Sequence, residues 1–184
     1  CYDIDDECDV ENIIIRNTLL TPPNYSNKFV ITNPPYLARN KSKDKTIFNL
    51  YNLNDLYKCF IQTLINVPPI GGILILPLNF FCSIRKEDII LRKTFLNKFN
   101  ITRINIFEDQ VFDDTTSAVC SIMFDRSDVL SSIIPTFFIS KNKTEQYSLP
   151  FNDENNYTIG GEIYSLPQNN KIKIDRATNK NKNS

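Results

Sequence analysis

The chain reads as an α/β protein built on a mostly parallel sheet, and three observations predict it. Short apolar runs such as Ile13-Ile14-Ile15, Phe29-Val30-Ile31 and Ile73-Leu74-Ile75-Leu76 are continuous rather than alternating. That is the pattern of strands buried on both faces. Segments with helical spacing lie between these runs, so strands and helices alternate as in βαβ units. Finally, the strand at 28–32 runs straight into Asn33-Pro34-Pro35-Tyr36. Two prolines without backbone donors stop the ladder and bias Asn33 away from helix. An amide side chain and two proline carbonyls are thereby set at the carboxyl end of a strand, the edge where open α/β sheets bind ligands.

The elements follow in order. Tyr2-Asp3-Ile4-Asp5 reads as a strand ending in acids, and Val10 to Ile15 as a second strand. Pro22-Pro23-Asn24 marks a turn before the strand into Asn33. Residues 37–53 are polar and basic and read as a loop. Asn54 or Asp55 caps a helix through Asn66, with Leu56, Tyr57, Phe60, Ile61 and Leu64 on its apolar side. Pro68-Pro69 stop it, and Gly71-Gly72 lead into the strand Ile73–Leu76. A second helix spans Lys86–Phe99, with Ile89, Ile90, Phe95, Leu96 and Phe99 inward. Strands follow at Ile101–Phe107, Thr116–Phe124 and Ile133–Ile139. From Asn169 onward there is little to bury, which marks the tail as a candidate for disorder.

With 184 residues the chain suffices for one domain with a real core. Its formal net charge is zero, so no global basic field announces nucleic acid; Arg39, Lys41, Lys43 and Lys45 form a local basic cluster. Five cysteines, an odd number without a Cys-x-x-Cys pair, argue for reduced thiols and a cytoplasmic protein. The absence of histidine excludes a histidine base or a Cys/His metal site within this chain. The longest apolar stretch, Ile70 to Phe81, is too short and too interrupted to span a membrane, so no membrane partner is expected.

The strand into Asn33-Pro34-Pro35-Tyr36, with the acidic strand end before it, resembles S-adenosylmethionine-dependent methyltransferases that act on planar amino groups. The order of segments from Tyr2 to Phe124 resembles adenine-specific (N6) DNA methyltransferases of restriction–modification systems, in the gamma motif order. The resemblance implies a partial Rossmann-like methyltransferase fold with one antiparallel strand, Thr116–Phe124. It implies a catalytic domain over 1–126 and a linker with the start of a target-recognition region over 127–184.

It also implies roles. Asp3 and Asp5 would hold the ribose of S-adenosylmethionine, and Asn17 its adenine; the family usually has an aspartate at that last position. Asn33 and the Pro34 carbonyl would accept the two N–H bonds of an exocyclic amine, with Pro35 fixing the turn. Tyr36 and Phe112 would stack on a base swung out of the duplex. DNA is the implied partner, with a restriction endonuclease or specificity subunit beside it. The family's cofactor loop precedes the acidic strand, and nothing precedes Tyr2 here. The chain is therefore expected to be the middle of a larger enzyme, inactive alone and a poor binder of cofactor. Glutamine and rRNA-adenine methyltransferases share the tetrapeptide, and a cofactor-free methyltransferase-fold binding module is the reading from another class. The basic loop after Tyr36 and the Val111-Phe112-Asp113 turn favour DNA.

Overall fold

A computed structural model of the chain describes residues 2–3, 13–113, 117–126 and 131–160. Asp5, residues 10–12 of the second expected strand and the tail from Asn169 lie outside the described residues. The elements are β1 (Tyr2–Asp3), β2 (Ile14–Ile15), β3 (Phe29–Thr32), α1 (Thr46–Tyr51), α2 (Leu56–Asn66), β4 (Gly71–Pro77), α3 (Asn79–Cys82), α4 (Lys86–Leu96), β5 (Asn100–Phe107), β6 (Val119–Asp125), β7 (Ile133–Ile139) and β8 (Thr144–Pro150).

Six strands form one sheet in the order β3-β4-β6-β5-β7-β8. β3 and β4 are parallel, joined by a crossover through α2, and β5 and β7 are also parallel. β6 lies antiparallel between β4 and β5, as expected of the Thr116–Phe124 segment. β8 adds a second antiparallel strand, hydrogen-bonded to β7. The sheet thus continues past residue 126: the segment set apart as linker and recognition region supplies two of its strands. Alternation in Thr144–Pro150 is masked by polar residues on both faces, which is why β8 escapes the sequence pattern.

Register shows which side chains share a face. Val30, Leu74, Leu76, Ile104, Ile106, Cys120, Ile122 and Phe124 all sit on one side and are all buried. The helices pack there: Phe95 of α4 meets Phe124 edge-on at 5.4 Å. Gly72 allows the tight β3–β4 approach, because a Cβ there would lie 2.1 Å from the Val30 carbonyl oxygen. The other face carries Ile31, Ile73 and Met123 in register. Phe29 and Ile31 are 72% and 80% exposed, which corrects the expectation that β3 is buried on both faces. A continuous apolar run reports β-propensity; burial depends on what packs on each face.

Three further expectations are corrected. β1 and β2 pair with each other as a separate two-stranded parallel sheet rather than joining β3. The expected arrangement needs a strand between β1 and β3, and no described residue supplies one, so the two ladders do not meet. Residues 37–53 are not all loop, because 46–51 form α1. Asp44 Oδ1 accepts both the backbone amide and the hydroxyl of Thr46, at 2.8 and 2.7 Å. The helix ends at Asn52, in the left-handed conformation (φ 53°), and buries Phe48. In α4, Leu91 and Arg92 face inward and Ile90 is exposed. There the docking of α4, not hydropathy, selected the stripe. No helix among the described residues is long and apolar enough to cross a membrane.

Candidate functional site at the carboxyl ends of the parallel strands

Three parallel strands end on the same side of the sheet, and the segment leaving each contributes to one cleft. Asn33-Pro34-Pro35-Tyr36 leaves β3, Asn79 follows β4, and Phe112 lies in the connection after β5. The cleft has a volume of about 800 Å³. Asn33, Pro34, Pro35, Tyr36 and Phe112, all named from the sequence, line it together.

The motif is held from both sides. After Tyr36, Leu37 and Arg39 form a two-bond ladder with the start of α2: Leu56 N donates to Leu37 O (3.1 Å) and Arg39 N to Asn54 O (2.9 Å). The Tyr36 hydroxyl lies 2.6 Å from Asn33 Oδ1 and 2.9 Å from the Ile75 carbonyl oxygen of β4. The Tyr36 ring is wedged edge-on by Tyr57 (centroids 6.4 Å apart, 88°) and Phe112 (6.3 Å, 67°). Tyr36 and Phe112 therefore touch; they do not stand as parallel walls, and a planar ligand between them has to separate the two rings. Gln110 Nε2 donates to the Phe112 carbonyl at 2.9 Å, bracing that turn.

Burial, the largest influence in each case, raises the pKa of the Tyr36 and Tyr57 phenols, so both stay protonated hydrogen-bond donors. Burial also raises the Asp55 carboxyl, against the Tyr57 backbone amide and Lys58, which lower it. Asp55 Oδ1 is buried without a hydrogen-bond partner among the described residues.

Sequence reasoning missed several lining residues: Asn54, Asp55, Lys58, Asn79 and Arg85. Lys58 pairs with the buried Asp88 of α4 and donates to Asn54 Oδ1 (2.9 Å), while Ser83 Oγ donates to Asp88 Oδ2 (2.5 Å). The one available signal was Lys58 itself, a cation on the apolar side of a helix. Of the basic cluster, Lys41 lines the cleft. Arg39 donates to Asn49 Oδ1 (2.6 Å), and Lys45 is turned onto the Arg39 and Ser42 carbonyls.

Of the expected cofactor residues, Asn17 is not among those lining the cleft, and Asp5 lies outside the described residues. Asp3 lies in β1 opposite Ile15. Asn17 Oδ1 accepts the backbone amides of Leu19 (3.0 Å) and Leu20 (3.1 Å), which closes the turn after β2 and occupies both of its lone pairs.

The sheet carries β6 antiparallel between its parallel neighbours β4 and β5, with the Asn-Pro-Pro-Tyr turn at the carboxyl edge. Residues 10–112 match the Eco57I restriction-modification methylase family, and the chain belongs to that family. Among solved structures the fold is similar to the type I restriction enzyme EcoKI M protein, at 18% identity and TM-score 0.54, over 83% of this chain and 34% of that one. It is similar to the type IIG restriction endonuclease BpuSI, at 12% identity and TM-score 0.55, over 84% of this chain and 23% of that one. It is also similar to the type IIL restriction-modification enzyme MmeI, solved in complex with DNA, at 14% identity and TM-score 0.54, over 80% of this chain and 22% of that one. The chain spans about a third or less of the length of these structures. No curated protein matches it.

Proposed function

We propose that the protein carries the catalytic turn of a DNA adenine-N6 methyltransferase, with S-adenosylmethionine as methyl donor. The observation that carries this reading is the meeting of Asn33, Pro34, Tyr36 and Phe112 in one cleft at the strand ends. The family membership supports the same class of chemistry.

An exocyclic adenine amine is a poor nucleophile, because its lone pair is delocalised into the ring. Asn33 Oδ1 and the Pro34 carbonyl would accept its two N–H bonds and draw the nitrogen toward tetrahedral geometry. The lone pair is then free to attack. Prolines that fix the turn preorganise these acceptors, which is how electrostatic stabilisation lowers a barrier. The extra proton on the methylated amine leaves to water, so no histidine base is needed. Base chemistry on duplex DNA requires the base to leave the stack. Phe112 would then swing from its edge-on contact to cover one face of the base, and Tyr36 the other. Lys41 and Arg85 at the cleft suit phosphate contacts.

The cleft is of a size that accommodates a nucleobase beside a methyl donor. When bound, S-adenosylmethionine supplies an electrophilic methyl group on sulfur. Asp3 and Asp5 would hold its ribose. A contact from Asn17 Oδ1 to its adenine first requires one of the two turn hydrogen bonds to open. DNA, and a nuclease or specificity subunit, are the proposed partners.

The test is to express the protein as its gene encodes it, incubate it with duplex DNA and labelled methyl donor, and digest the DNA to nucleosides. N6-methyladenine is the expected product. Label appearing only in protein glutamine or in ribosomal RNA moves the assignment to those substrates, and no transfer at all favours a binding module.

A further inference from the structure

The exposed Asn33 side chain can in principle present either end of its carboxamide to the cleft, and only the oxygen end accepts an N–H bond. The neighbouring phenol decides between them. The Tyr36 hydroxyl has one proton and two acceptors within reach, Asn33 Oδ1 at 2.6 Å and the Ile75 carbonyl at 2.9 Å. The structure places the amide oxygen, not the nitrogen, against the phenol, and the Tyr36 hydroxyl donates to it.

The phenol is a fixed reference point. Ile75 lies within β4, in register with Ser121 of β6, so its carbonyl is part of the sheet frame. Tyr57 presses the ring edge-on, a contact that remains when Phe112 swings to the base. Burial raises the phenol pKa, which keeps the proton in place at any working pH.

We propose that the Tyr36 hydroxyl is a positioning group. Donating its one proton to Asn33 Oδ1, with the Ile75 carbonyl as the second acceptor that shares it, the hydroxyl holds the Asn33 carboxamide with its oxygen set to accept a substrate N–H through its second lone pair. The ring of Tyr36 and its hydroxyl thus have separate tasks: the ring faces the base, and the hydroxyl orients the acceptor. This rests on the proposed amine methylation for what the oxygen receives, but the hydroxyl–amide contact stands independently of it.

Tyr36→Phe keeps the ring and removes the hydroxyl, so it separates the two tasks. In the protein as its gene encodes it, the single-turnover rate of methyl transfer should fall about fivefold, the size of one ordinary hydrogen bond. DNA affinity and the fluorescence of a flipped base analogue should stay unchanged. In a double-mutant cycle, Tyr36→Phe should cost nothing further in an Asn33→Ala background, because the group it positions is gone. A parallel measurement needs no activity. The side-chain ¹⁵N resonances of Asn33 should be a single sharp pair in the wild type, and shifted or broadened in Tyr36→Phe. An unchanged rate, or equal losses in both backgrounds, overturns the positioning role. Unchanged Asn33 resonances overturn the contact itself. If the wild type methylates no adenine, the proposed function fails, and the resonance experiment still decides whether the hydroxyl holds Asn33.

Discussion

Two polar networks in the molecule are built on opposite terms. In the helical layer, Arg92 is fully buried and donates to the Phe80, Ser83 and Asn156 carbonyls and to the Thr158 hydroxyl. Burial lowers its pKa to about 10, the nearby Asp88 opposing this. Lys58 and Asp88 form a second buried unit beside it. In the cleft, the neutral Asn33 and Tyr36 are linked by a single hydrogen bond, with Asn33 exposed. The difference teaches what each network is for. Buried charge is tolerated only when its hydrogen-bonding groups are engaged, which leaves nothing over for a ligand. Exposed neutral groups are cheap to leave partly unsatisfied, and so remain able to accept a substrate.

Removing the buried charge should give the largest effect and should act on stability. Arg92→Leu strands three carbonyls and removes the bonds that tie Asn156 and Thr158 to Arg92. A loss of about 4 kcal/mol is expected, since each unsatisfied buried acceptor costs about 1–3 kcal/mol. Urea unfolding checks it, and a midpoint within error of wild type would break the comparison.

Asn33→Ala should act on rate instead. Losing one preorganised acceptor costs about 2.7–4 kcal/mol of barrier, roughly a hundred- to thousand-fold in single-turnover methyl transfer. The unfolding midpoint and the DNA affinity should hardly move, because phosphate contacts dominate the latter. An intact rate would make the tetrapeptide structural.

Phe112→Ala is intermediate. It removes a proposed base-covering face at a cost of roughly 1–3 kcal/mol in retention of the flipped base. A fluorescent base analogue at the target position reads this apart from chemistry. The smallest effect is expected at the exposed Lys143–Glu145 pair of the β7–β8 turn, which salt screens. Lys143→Ala should leave both the unfolding midpoint and the rate unchanged, and a shift in either would show that surface charge matters more here than the contrast implies.

The sequence by itself determined the elements whose signals are local. Pro34-Pro35 end β3, Asp55 precedes α2, and Ile73–Leu76 and Ile101–Phe107 form strands, because propensity and proline stereochemistry act within a few residues. It also named Asn33, Tyr36 and Phe112 as candidates for one site, and all three line one cleft. The tertiary structure alone decided what depends on neighbours distant in sequence. It made α1 from a basic stretch, because Phe48 found a buried site and Asp44 accepts the Thr46 amide and hydroxyl. It put Arg92 rather than Ile90 inside, because the Asn156 carbonyl, 64 residues further along the chain, arrives to receive it. It left Phe29 and Ile31 exposed despite their apolarity, since burial needs a partner surface. It set the Tyr36 hydroxyl between Asn33 and Ile75, a contact across 39 residues that no local pattern encodes.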